Sequence, residues 1–270
     1  MKYITMLLLL FSLATVNAQG KLEKAKENLS SQSSSGNNES GTKQVRTSSS
    51  NSNTSNSSFE SASLIEAFGE LIFWSSLGAT FGRANERSLT PYPYFDDTSG
   101  EYSRNIFESN KKSSFKLGVS HFLNTVRGFE FSGTYKFKPI LGIEASHVHF
   151  YENRLAKPTD FFDVTSLMVN YYRVREKHIT LWWGIGASYI ANEVKTLGFA
   201  YNLGTEIYPV KPISLHLSWK QSLINNSSVD VFKSNIKYHY KKVALVLGYD
   251  HFNLGGEKNA GVMLGLEYSF

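Results

Sequence analysis

The chain has 270 residues, 28 basic and 23 acidic side chains, no Cys, and an aromatic set of 19 Phe, 15 Tyr and 4 Trp. The absence of Cys excludes a disulfide scaffold, a thiolate metal site, a cysteine nucleophile and a lipid-modified N-terminal Cys. A net charge of +5 is too mild to argue for a nucleic-acid partner, and a mean hydropathy of −0.26 does not fit a bundle of membrane helices.

The N-terminus reads as an address. Lys2 supplies a positive start, Met6 to Phe11 an apolar run, and Val16-Asn17-Ala18 the small or compact residues of a signal-peptidase site. This is the pattern of a secretory signal peptide cleaved after Ala18. The apolar run falls short of the ~20 residues that a spanning helix needs. Residues 19–58 read as a linker. Its first part, 19–29, alternates Lys with Glu and has room for a brief helix; 30–58 holds 13 Ser and 5 Asn. So polar a stretch buries too little apolar surface to offset chain entropy, and disorder is expected. Residues 59–112 read as a segment that packs on the domain to follow. Within it, Ser63 and Glu66 have the spacing of a capping box ahead of a short amphipathic helix over 59–83. Thr90 to Asp97 is a Pro-aromatic extended stretch.

From residue 113 the hydrophobic period is two. Phe129, Phe131, Tyr135 and Phe137 alternate with polar or small residues, as do Leu197, Phe199, Tyr201 and Leu203, and Ile213, Leu215, Leu217 and Trp219. Ten strands are expected, over 113–123, 126–137, 140–151, 162–174, 178–191, 195–208, 212–221, 229–240, 243–252 and 260–270. Many are 11 residues or longer, the reach of a tilted strand across a bilayer. The connections between them mostly alternate short and long, the longer ones at 152–161, 222–228 and 253–259. A transmembrane barrel places short turns on the periplasmic side and longer loops outside. The expected fold is all-β: an antiparallel up-and-down transmembrane barrel of about ten strands, within a range of eight to twelve.

The last strand carries Val262, Leu264, Leu266, Tyr268 and Phe270 on alternate positions. With the signal peptide, this terminal aromatic strand resembles the small bacterial outer-membrane β-barrel proteins of the general OmpA/OmpX/OmpW kind, without a peptidoglycan-binding domain. The resemblance covers about residues 113–270. It implies a place in the bacterial outer membrane, contact with its lipid, and delivery to the barrel-assembly machinery through Leu264, Leu266, Tyr268 and Phe270. It also implies a structural, adhesive or small-solute role.

In such a barrel only every second residue meets lipid, which keeps average hydropathy low, while Trp and Tyr gather at the interfaces. Tyr135, Phe137, Tyr151, Trp182, Trp183, Tyr208, Trp219, Tyr268 and Phe270 are the candidate interface aromatics. Glu130, Lys136, Glu144, Glu206, Lys220 and Glu267 fall on the other face, where they can pair across a largely filled lumen. The candidates for chemistry are His147 and His149, on one face of a strand, with Asp163 opening the next. Ser120, Ser146 or Ser188 lie at a suitable depth to serve as nucleophile. The sequence names no triad among them, and it contains no metal or cofactor motif. Two further readings stay open: a barrel enzyme acting on lipid or peptide, and a soluble secreted barrel binding an apolar ligand. The direction of Leu197, Phe199, Leu215 and Leu217 separates the soluble reading from the membrane one.

Overall fold

The computed structural model describes residues 20–30, 88–103, 111–153 and 158–270. The signal peptide, the Ser/Asn-rich stretch beyond residue 30 and the expected helix at 59–83 lie outside the described residues.

Ten strands form one closed sheet: β3 (Ser114–Leu123), β4 (Arg127–Lys138), β5 (Leu141–Glu152), β6 (Asp160–Arg175), β7 (Ile179–Ile190), β8 (Thr196–Val210), β9 (Ile213–Ile224), β10 (Ser227–Tyr240), β11 (Val243–Leu254) and β12 (Glu257–Ser269). Each pairs antiparallel with its neighbour in sequence, and β12 returns to β3 with Leu266 opposite Val119. Closure leaves no unpaired edge, which a sheet in lipid requires, because no water is present there to satisfy free backbone groups. Two short strands precede the barrel, β1 (Ser88–Leu89) and β2 (Tyr102–Ser103), which pair with each other.

The expected strands all occur, and several run longer than their sequence pattern announced. Two expected loops are therefore corrected. The 253–259 connection shrinks to Gly255-Gly256, and the 222–228 connection to Asn225-Asn226. Gly255 (φ 60°), Gly256 (φ 95°) and Asn225 (φ 53°) adopt the left-handed backbone that two-residue hairpin turns demand, so pairing continues into polar sequence. One end of the barrel, the turn side, carries the connections at 139–140, 176–178, 211–212 and 241–242 together with Phe270. The other end, the loop side, carries 124–126, 153–159, 191–195 and the two tight turns just described.

The alternating residues divide cleanly between the two faces. Leu197 is 69% exposed, Phe199 52% and Leu217 37%, and Leu215 shares their side of the wall, while the intervening Ser214 and Asn202 are buried. The apolar face points outward all round the barrel, with Leu117, Val119, Ile143, Leu167, Ile236, Leu245, Leu264 and Leu266 exposed. A soluble barrel puts that face inside, so the soluble reading is overturned. At about 25 cal/mol per Å², such a surface left in water would be heavily destabilising; covered by lipid it is favourable.

The start of the segment read as linker forms the brief helix for which it has room, and the barrel gives that helix a place. Helix α1 (Lys21–Ser30) sits in the loop-side mouth. Leu22, Ala25 and Leu29 recur at helical spacing and are buried. They pack on lumen residues that include Phe122, Phe150, Phe162, Ile190, Ile224 and Phe252.

Candidate functional site

The lumen is built in three layers. The loop-side layer is the apolar cluster beneath α1. Polar anchors hold the helix over it: the Gly20 and Leu22 backbone N–H groups donate to the Glu152 carboxylate at 2.9 and 3.1 Å. Lys26 pairs with Asp160 at 2.5 Å, and Asn225 donates to the Leu29 carbonyl at 2.6 Å. A carboxylate at a helix N-terminus satisfies N–H groups that have no partner within the helix.

The middle layer is charged and hydroxylic. Lys233 donates to both oxygens of Glu130, at 2.5 and 2.6 Å. Lys220 bonds Ser146 and Ser166 at 3.1 and 2.9 Å, and Ser188 links Ser166 to Ser222. Glu144 accepts from Asn170 at 2.8 Å.

Toward the turn side, Lys237 donates to Glu206 at 3.2 Å and to Glu267 at 2.9 Å. Glu206 also accepts from Ser214 at 2.7 Å and is bonded by His216 at 2.9 Å. Lys116 and Lys136 both bond Glu101, which lies just before β2. Buried opposite charges of this kind are tolerated only when each finds such partners.

The turn-side mouth is filled by residues 88–103. The Tyr94 hydroxyl lies against the carbonyls of Val210 and Ile213, and Tyr102 donates to the Pro139 carbonyl at 2.9 Å. Burial, with the Glu206 carboxylate adding to it, pushes the Tyr94 phenol up to about 12, so it remains a donor at ordinary pH. The cavity left among the lumen side chains measures about 150 Å³. Sites for drug-sized ligands run to roughly 300–1,000 Å³.

All six charged residues expected inside do face the lumen: Glu130, Lys136, Glu144, Glu206, Lys220 and Glu267 line it. Several of their partners were missed, namely Lys116, Lys233, Lys237 and Glu101. Lys233 and Lys237 alternate with the outward Phe232, Ile236 and Tyr238, so strict parity would have found them. Glu101 lies outside the strand pattern and gave no such signal.

Two candidate interface aromatics are corrected. Trp182 and Tyr208 point inward, 7% and 0% exposed, with Trp182 tilted against His216. Adjacent residues of a strand face opposite ways, so Trp182 and Trp183 cannot share the lipid face; Trp183 takes it, 5.5 Å from the Tyr171 ring. Tyr135, Phe137, Tyr268 and Phe270 are exposed on the outer face toward the turn side, as are Leu264 and Leu266 on β12. Tyr151 lies outward toward the loop side, stacked with Phe129, and Trp219 lies outward against Tyr201.

The chemistry candidates also lie on the outer wall. His147 pairs with Thr165, Nδ1 to Oγ1 at 2.9 Å, and His149 with Asp163, Nδ1 to Oδ1 at 2.5 Å. Asn192 donates to the other Asp163 oxygen at 3.2 Å. The hydroxyl and the carboxylate thus engage two different imidazoles, each through Nδ1. A relay for nucleophilic attack needs both on one ring, at opposite nitrogens. Ser146 and Ser188 are buried inside the barrel and Ser120 lines the lumen cavity, so the wall separates all three from both histidines. Among the described residues, no group of three or more His, Cys, Asp or Glu is arranged to hold a metal ion.

No protein-family profile and no curated protein matches the chain. Among solved structures it is similar to the outer-membrane protein Ail of Yersinia pestis in a phospholipid nanodisc, at 15% identity over 59% of this chain and 99% of Ail, with a TM-score of 0.34. It is similar to the KdgM porin at 10% identity over 57% and 99% of the two chains (TM-score 0.36), and to Neisserial surface protein A at 9% over 58% and 96% (TM-score 0.30). Likeness at this level carries no information about role. By its own closed meander and its outward apolar face, the chain has the fold of the small outer-membrane β-barrels, built here with ten strands.

Proposed function

We propose that the protein is a non-conducting integral barrel of the bacterial outer membrane with a structural or surface-presenting role. One observation carries this reading: both mouths of the lumen are stopped by the chain's own N-terminal segments, and paired charges fill the space between. Small-solute passage would need a continuous wet path, and α1 and residues 88–103 stand across it. In this reading the signal peptide exports the chain and is removed after Ala18. The assembly machinery reads Leu264, Leu266, Tyr268 and Phe270 on the closing strand. The turn side, with Phe270, faces the periplasm, and the loop side with α1 faces out.

The test is single-channel recording of the mature chain in planar bilayers. Insertion is scored separately by heat-modifiable gel mobility and protease resistance in vesicles. Inserted protein without unit conductance is the expected result; a steady open pore from inserted protein would overturn the reading. An enzymatic role has weaker support, since the His–Thr and His–Asp pairs do not join. Loss of a lipid- or peptide-cleaving activity in a folded H147A/H149A variant would revive it.

A further inference from the structure

The outer wall is not uniformly apolar toward its loop-side rim. On β8 the apolar face reaches Leu197, the second residue of the strand, and Phe199 follows it. On β5 and β6 it stops earlier. Beyond Ala145 and Leu167 the outward positions become His147, His149 and Tyr151 on β5, and Thr165, Asp163 and Phe161 on β6. Register places His147 opposite Thr165 and His149 opposite Asp163. Phe131 and Phe129 flank this polar patch on β4, and Tyr189 flanks it on β7, all three exposed. The next outward row toward the turn side is Gly133, Ala145, Leu167 and Ala187. Three of those four have nothing beyond Cβ, so the wall is low there.

The polar patch is anchored from one side only. Each imidazole spends its Nδ1 on the wall, His147 against Thr165 and His149 against Asp163. That leaves Nε2, the far corner of each ring, as the polar edge offered to a lipid-side ligand. The His149 side chain is 38% exposed, whereas its carboxylate partner is 18% exposed and is further engaged by Asn192. Arg127, exposed and outward on β4, lies one outward position beyond Phe129 and opposite Tyr151. The groups presented are thus a guanidinium and two imidazole edges above a low apolar wall. A phosphate monoester offers acceptor oxygens to the guanidinium and, when singly protonated, a P–OH that donates to an imidazole Nε2 whose Nδ1–H is spent on the wall, and acyl chains suit the low row beneath.

We infer that the β4–β7 face is a binding site for a phosphate-bearing lipid, its headgroup on Arg127, His147 and His149 and its chains over Gly133, Ala145 and Ala187. The inference rests on the membrane reading proposed above. It deepens that reading by naming one wall of the barrel and one lipid chemistry.

The test uses the mature chain folded in a non-ionic sugar detergent, with bound lipid counted by native mass spectrometry. The probes are dioctanoyl phosphatidic acid and dioctanoyl glycerol, which differ only in the phosphate. Phosphatidic acid should bind at least ~10-fold more tightly, the worth of one hydrogen bond to a charged group. H147A/H149A should lose most of that preference, and R127Q part of it. L245A, on the far side of the barrel, should keep it. Inorganic phosphate at equal concentration should not displace the lipid; displacement would mean a site for a free anion and would overturn the lipid assignment. Equal binding of the two probes, or an unchanged preference in H147A/H149A, would overturn the site. Heat-modifiable mobility of every variant keeps a failed barrel distinct from a failed site, and H147Q/H149Q serves if the alanine pair does not fold.

Discussion

Lys237 offers the sharpest test of the closed lumen. It is 6% exposed, and its ammonium bridges Glu206 at 3.2 Å and Glu267 at 2.9 Å. Replacing it with Met keeps the aliphatic stem and deletes the charge. Glu206 retains Ser214 and His216, but Glu267 keeps only the longer approach of Lys116, at 3.7 Å. Stranding one buried carboxylate in this way costs about 3–5 kcal/mol. The loss should therefore fall mainly on Glu267. Adding Glu267→Gln to K237M should recover at least ~1 kcal/mol, and adding Glu206→Gln should recover less, because that removes an acceptor still in use. The assay is denaturant unfolding of the barrel in lipid vesicles followed by Trp fluorescence. A K237M loss below about 1 kcal/mol would refute the reasoning, because it would mean that the lumen is wet enough to screen the network as a surface ion pair is screened.

The same barrel makes three further outcomes testable. Leu247, 49% exposed in the middle of β11, should cost about 2–4 kcal/mol when changed to Arg, as lipid-facing positions do; a change near zero in vesicle unfolding would contradict the membrane placement. Gly204 lies opposite Trp182, and an added Cβ would stand 2.3 Å from the indole. Gly204→Ala should therefore cost about 1–3 kcal/mol and shift Trp emission, whereas Gly133→Ala, whose nearest neighbour would be 3.4 Å away, should do neither. The chain has no native Cys, so α1 can be mapped directly: a thiol at the buried Ala25 should react with maleimide at least ~10-fold more slowly than one at the exposed Glu27. Equal rates would mean that the helix does not occupy the mouth.

From the sequence alone come a strand count of ten to within two, the approximate strand positions and the existence of two unlike faces. Period-two alternation is a local property, set by the pleat of the backbone, and it persists from Phe115 to Tyr268. It also implied that Glu130, Lys136, Glu144, Glu206, Lys220 and Glu267 share a face, because parity along a strand is enough for that.

Alternation cannot say which face lies inside. Leu197 and Phe199 would alternate identically in a soluble barrel, and only closure of the sheet, with β12 returning to β3, turned them toward lipid. Partner choice was likewise tertiary. Lys237 meets Glu206 from 31 residues away, and Lys136 meets Glu101 from 35. The Trp182-Trp183 pair gave two equal interface candidates, and the phase of β7 selected one.

The N-terminal segments were the least legible. Lys21 to Ser30 reads as a short charged stretch with only Leu22 and Leu29 as sizeable apolar residues. A helix so short gains its stability from the surface it covers rather than from its own sequence. That surface is an apolar lumen floor assembled from β3, β5, β6, β7, β9, β10 and β11 among others, and it exists only once the barrel has closed.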